Sequence, residues 1–178
     1  MDIATRATPI DRALDLLGRA QRMNTRLVSS ATTLTANDDI ALVDTSGGSV
    51  TVTLPEVGKR YMALQVINED HYAPNVFYAP GAFTITKETA GTPYVALAVR
   101  TFVDPYNPAD VQEVHQLQDA IKVEQKATGE LKLGEWDAAS QDKVRSALIN
   151  LAAANGGLDS RRMFGRKDQV DPVQHLIG

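Results

Sequence analysis

The residues that could do chemistry in this chain gather at one short run, Asn68-Glu69-Asp70-His71-Tyr72, and at Arg100. Side chains along a strand alternate with a period of two. If the preceding strand persists, Glu69 and His71 face one way, and Asp70 faces the other beside Asn68. A carboxylate and an imidazole can begin a metal site, but such a site needs three or four ligands. His115 and His175 lie far along the chain, so neither a metal nor a cofactor is expected. An imidazole in a polar pocket can exchange protons near neutral pH. Glu69, Asp70, His71 and Arg100 are therefore the candidate catalytic residues. The plainer reading of the run, and the preferred one, is a hydrogen-bonded loop that ends a strand.

Arg100 is in register with Tyr94, Ala96, Ala98 and Phe102, a mostly apolar face. A guanidinium left unpaired in such a place costs several kcal/mol. The expectation is that Arg100 pairs with Glu69, Asp70 or Asp104 and braces the strand end. Other groups carry less. His115 and Asp119 stand one helical turn apart and read as a surface pair. Ser46 and Ser49 lack a nucleophile elbow. Gly47-Gly48 precedes neither a helix start nor a lysine, so it reads as a turn rather than a phosphate cradle. Arg161, Arg162, Arg166 and Lys167 surround Met163-Phe164, which reads as a solvated linker.

The elements that position these residues follow from spacing. Thr8 to Met23 reads as an amphipathic helix capped by Thr8, docked on its own domain or serving a partner or a homo-oligomer. Asp39–Asp44 and Ser49–Leu54 read as a strand pair turned by Thr45-Ser46-Gly47-Gly48. Tyr61–Asn68 is apolar on both faces, as central strands are. Pro74, Pro80 and Gly81 read as turns, and Phe83 to Lys87 as another strand. Tyr94–Val103 is the longest strand. Asn107-Pro108 restarts the chain as a helix, with a stripe through Val111, Val114, Leu117 and Ile121 to about Gln125. Lys126–Gly134 is a linker. Asp137 to about Asn155 is a helix with Val144, Leu148 and Leu151 on one face, stopped by Gly156-Gly157. Asp171-Pro172 starts a last helix.

Strands followed by helices imply a mainly β fold with peripheral helices. The expectation is an antiparallel β-sandwich or jelly-roll-like domain followed by a helical C-terminal segment. Its parts are an N-terminal helix and linker over 1–30, the β domain with a terminal helix over 31–126, and a helical connector over 127–178. The chain has 178 residues, a net charge of −4 and no cysteine. Disulfides and thiolate metal sites are excluded, and no basic field draws in nucleic acid. No apolar run is long enough to span a membrane, and the N-terminus lacks a signal-peptide pattern.

The phrases VTLPEVGKRYMALQVINEDHY and YVALAVRTFVDPYNPADVQEVHQLQDAIKV resemble the bacterial domain-of-unknown-function family 1254 (DUF 1254). The tail DSRRMFGRKDQVDPVQHLIG looks like the segment leading into that family's usual DUF 1214 partner domain. The resemblance implies a sandwich-like first domain and a missing C-terminal partner domain. It suggests a periplasmic or secreted setting, and it implies no reaction. Two departures stand out: the second domain is absent, and Arg22 to Ser30 matches the family's RxNRDTLYS-like phrase only in part. Residues 32–54 are more similar to strands of phage tail-fibre proteins.

The expected role is a structural or ligand-binding module of a two-domain bacterial protein. One alternative is an enzyme fragment whose interdomain pocket is lined by Asn68, Glu69, Asp70, His71 and Arg100. The other takes the Thr32–Leu54 segment as a trimeric phage-fibre-like adhesin module, with a three-fold axis expected through the Asp39–Leu54 hairpin.

Overall fold

The computed structural model describes residues 25–28, 32–33, 40–125 and 137–178. The helix expected over Thr8–Met23 and the linker Lys126–Gly134 lie outside the described residues. Nine strands form two sheets. They are β1 (Thr25–Val28), β2 (Thr32–Thr33), β3 (Ile40–Asp44), β4 (Ser49–Leu54), β5 (Met62–Asn68), β6 (Asn75–Tyr78), β7 (Gly81–Thr86), β8 (Tyr94–Thr101) and β9 (Lys122–Gln125). One sheet runs β1-β3-β8-β5-β6 and the other β2-β9-β4-β7. Every pairing is antiparallel except β1 with β3. The helices are α1 (Lys87–Ala90), α2 (Pro108–Asp119), α3 (Ala138–Ala154), α4 (Ser160–Met163) and α5 (Pro172–Ile177). The fold is thus strand-rich and sandwich-like, with a helical C-terminal segment.

The two sheets share one core. Val50, Val52, Leu54, Ile85 and Val123 come from one sheet; Val43, Leu64, Val66, Val95 and Leu97 come from the other. Each such side chain stabilises the fold by roughly 1.5–3 kcal/mol relative to an exposed position. In β4 the alternation is complete: Val50, Val52 and Leu54 are buried while Thr51 and Thr53 are half-buried. Strand β5 is apolar on both faces at its start, where Met62, Ala63 and Leu64 are all buried, and it lies between β8 and β6.

Four expectations are corrected. First, β3 and β4 are not a hairpin: they belong to different sheets, and residues 45–48 carry the chain across the sandwich. Both strands turn buried apolar residues into the same core, Ala41 and Val43 from one side and Val50 and Val52 from the other. Second, the stripe after Asn107 is helical only to Asp119; residues 122–125 form β9 between β2 and β4. Ile121-Lys122-Val123-Glu124 fits a strand period as well as a helical one. Burial of Ile121 and Val123 together with the ladder to β4 decides in favour of the strand. Third, the stretch between Pro74 and Pro80 is not all turn, because Asn75–Tyr78 forms β6 at the sheet edge, beyond the reach of either proline. Fourth, Lys87 begins α1 instead of ending β7. Thr86 and Thr89 close a reciprocal capping box there, and Gly91 ends the helix at φ 87°.

The helices otherwise start where their caps place them. Asn107 accepts from the amides of Ala109 and Asp110, Asp137 from that of Ala139, and Asp171 from those of Val173 and Gln174. Helix α5 packs against both α3 and α4. No helix among the described residues is long and apolar enough to cross a membrane.

Candidate functional site

Strand β5 ends at Asn68, so Glu69 and His71 do not continue its alternation. The chain instead turns tightly around the Asn68 side chain. Its Oδ1 accepts from the amides of Asp70 (3.1 Å) and Tyr72 (3.0 Å), and its Nδ2 donates to the carbonyl of Ala90 (2.9 Å). The backbone closes the same turn, Asn68 donating to Tyr72 and His71 donating to Asn68. His71 takes φ 63°, the left-handed region that costs a residue with a Cβ about 1–2 kcal/mol. Asn68 is buried, whereas Glu69, Asp70 and His71 are exposed.

A buried polar seam supports this turn. Thr45 donates through its amide (2.7 Å) and Oγ1 (2.8 Å) to the carbonyl of Pro93. Thr92 Oγ1 donates to the carbonyl of Tyr94 (2.9 Å) and accepts from the amide of Glu69 (3.1 Å). The Glu69 carboxylate accepts from the amide of Tyr94 (3.1 Å). The seam ties together the ends of β3 and β5 and the start of β8. Its hydroxyls and amide are committed to backbone groups, which is structural work. Ser46 is also committed, here to a side chain: Asp44 Oδ1 accepts from its amide (2.8 Å) and its hydroxyl (2.5 Å).

Arg100 is exposed and makes no ion pair with Glu69, Asp70 or Asp104. Its position in β8 is opposite Ala63, near the far end of the strand from the Asn68 turn. The expected brace is supplied by Arg60, which the sequence reading did not single out. Its guanidinium grips Asp110 through both terminal nitrogens (2.5 and 3.1 Å), reaches Glu113 (3.2 Å) and donates to the carbonyl of Phe102 (2.8 Å). The bidentate bond from Arg60 and the amide of Asp104 hold the Asp110 carboxyl below the usual carboxylate range. Asp110 in turn raises Arg60. This network locks the start of α2 to the β4–β5 connection. The only advance signal was an arginine ahead of a strand with a carboxylate in a helix first turn.

The run forms a hydrogen-bonded turn at the end of a strand, and Arg100 is not brought to it. Asn68 is a turn organiser, Glu69 caps β8, and Arg100 stands apart. No cluster of three or more histidine, cysteine, aspartate or glutamate side chains that could hold a metal occurs among the described residues. His115 and Asp119 are both exposed on α2.

The C-terminal segment brings unexpected residues to the turn. The His175 ring stacks on Tyr72 with centroids 4.1 Å apart and planes 12° from parallel. Its Nδ1 is 2.6 Å from the carbonyl oxygen of Met163, and its Nε2 is 2.8 Å from that of Asp70. The amide of Ala73 donates to the carbonyl of Gly165 (2.8 Å). Lys167 Nζ lies 5.9 Å from the Tyr72 ring centroid, within the range of a cation–π contact. A cavity of about 180 Å³ opens beside them, walled by Asn68, Asp70, Tyr72, Thr89 and Lys167. The basic run is locally compensated: Arg161 faces Asp159 (3.3 Å), Arg162 faces Asp171 (2.6 Å) and Arg166 faces Asp168 (3.0 Å). The amide of Gln174 and the charge of Arg162 hold the Asp171 carboxyl low.

A second concavity, about 850 Å³, runs between α3 and the C-terminus and is lined by Val144, Leu148, Ile149 and Ile177 beside Asp142 and Arg145. Helix α3 has no buried residue. Val144 is 56% exposed, Ile149 59% and Leu151 43%.

No protein-family model and no curated protein matches the chain. Among solved structures, it is similar to the VPA0106 protein from Vibrio parahaemolyticus, with a TM-score of 0.60 at 13% identity. The likeness covers 93% of this chain and 60% of that protein. At that identity the similarity speaks to the fold alone. The chain spans 60% of the length of the Vibrio protein it resembles.

Proposed function

We propose that the chain is a structural or ligand-binding module of a larger two-domain bacterial protein, of the DUF 1254 type. In this reading α3 receives the second domain. The observation that carries it is the exposure of apolar residues on α3: Val144 and Leu151 on one side and Ile149 on another are exposed, and no residue of the helix is fully buried although α5 packs against it. Helices in proteins gain most of their stability by packing apolar side chains against a neighbour, and this 17-residue helix leaves these three exposed. The resemblance to the Vibrio protein over 60% of that chain supports a further region beyond the shared part.

A catalytic role for Asn68, Glu69, Asp70, His71 and Arg100 has less to support it, because the first two are spent on backbone amides and Arg100 lies elsewhere. The adhesin reading has less to support it, since β3 and β4 belong to different sheets.

The test is self-association. The chain alone should bind a hydrophobic dye and self-associate as its concentration rises. Val144→Asp with Ile149→Asp should abolish both while leaving the β circular dichroism intact. A wild-type chain that stays monomeric and dye-silent sinks the reading.

A further inference from the structure

Both ring nitrogens of His175 face carbonyl oxygens, at Met163 and at Asp70. A carbonyl only accepts. A neutral imidazole has one N–H and one bare lone pair, so it can satisfy one of these oxygens and must oppose the other. The imidazolium has two N–H groups and satisfies both. We propose that His175 is a proton-dependent latch: protonated, it clamps the α4–α5 segment onto the Asn68–Tyr72 turn, and deprotonated, it releases the segment. This contact uses none of the exposed apolar residues of α3, and its test does not depend on whether a domain covers them.

The surroundings are consistent with a cation at this position. His175 lies in the last turn of α5, where the helix carbonyls favour positive charge. Its ring is stacked on the Tyr72 π-face, which attracts a cation. The charged and titratable groups around it are Asp70 and His71 on the turn, Lys167 on the opposite side of Tyr72, and the Arg162–Asp171 pair at the start of α5. Lys167 opposes the imidazolium, Asp70 favours it, and Arg162 and Asp171 offset each other. The sign follows from proton counting. The docked form holds one more ring proton than the free neutral side chain, so docking weakens as pH rises.

Two other histidines are present and must be distinguished from His175. His71 is exposed on the turn, and His115 is exposed on α2. A pH step in docking is therefore assigned by substitution.

The experiment is NMR on the chain between about pH 5 and about pH 8, the interval in which histidine ordinarily changes charge. Two signals are read. The ring 15N shifts of His175 show how many ring nitrogens carry hydrogen, which needs no substitution. Exchange of the Ala73 amide, corrected for its intrinsic pH dependence, reports docking directly because that amide bonds Gly165. The expected result is two ring N–H groups in the docked form and a docking constant that falls about tenfold across the interval, the worth of one net hydrogen bond. His175→Phe keeps the stack on Tyr72 and should remove the step, leaving weak docking at every pH. His71→Asn and His115→Gln should retain the step. A flat wild-type profile, a step that survives His175→Phe, or a docked ring with a single N–H overturns the proposal.

Discussion

Replacing Asn68 by alanine tests how the turn is held. Three hydrogen bonds disappear, and their partners are unequal. Ala90 is buried, so its carbonyl is stranded, at a cost of about 1–3 kcal/mol. The amides of Asp70 and Tyr72 are only part-buried and recover water, losing roughly 0.5–1 kcal/mol each. The sum is about 2–5 kcal/mol, which moves the urea midpoint down by about 1–2.5 M for a slope of about 2 kcal/mol per M. Asn68→Asp sharpens the test. It keeps the oxygen that receives two amides but places a second oxygen against the Ala90 carbonyl. Near neutral pH the loss should equal or exceed that of alanine. In acid the protonated carboxyl regains a donor for Ala90, so the penalty relative to wild type should shrink below about pH 5. Urea unfolding followed by circular dichroism at two pH values reads both effects. A loss under about 0.5 kcal/mol for Asn68→Ala refutes the reasoning, because that is the range of an ordinary surface change.

Four further outcomes follow from the same geometry. Val123→Ala, in the strand that the helical stripe disguised, removes two fully buried methyl groups and should cost about 2 kcal/mol by chemical denaturation. Gly81→Ala should destabilise by about 1–3 kcal/mol, since the added Cβ would meet the Phe83 ring at 2.8 Å, where Phe83 stacks on Phe77, and φ there is 154°. Arg100→Ala should change stability by less than about 0.5 kcal/mol, whereas Arg60→Ala should lower it clearly. The Arg60–Asp110 grip also sets a pH trend. Because the folded carboxyl of Asp110 is held low, its contribution is present above its ordinary value and fades as pH falls through its folded value, below about pH 4. Acid titration of Asp110→Asn should show a shallower fall in stability than wild type.

The strands of the core were legible where apolar and polar residues alternate, as in Val50-Thr51-Val52-Thr53-Leu54, and where both faces are apolar, as in Met62–Val66. Caps were legible too, because Asn107-Pro108, Asp137 and Asp171-Pro172 act within a few residues of themselves. What pairs with what was not legible. Strands β3 and β4 looked like a hairpin because four turn residues join them, yet each answers to a different sheet across the shared core. Strand β9 was hidden because residues 121–124 fit two periods at once, and only the ladder to β4 chooses. The site suffered most. Arg100 looked buried on the pattern of its neighbours, but exposure at a strand end depends on what covers it. His175 lies 105 residues from Asp70 in sequence, so no local rule joins them.

The measurement that tests the account most directly uses the absence of cysteine. With no native thiol, Val144→Cys places a single reporter on the exposed apolar side of α3 that also carries Leu151. Its rate of modification by a thiol reagent is compared between residues 1–178 alone and the product of the whole reading frame that contains them. The account predicts rapid modification in the short chain and at least roughly tenfold protection in the whole product, where the second domain covers the helix. Equal rates in the two, or a reading frame that ends at residue 178, contradict it.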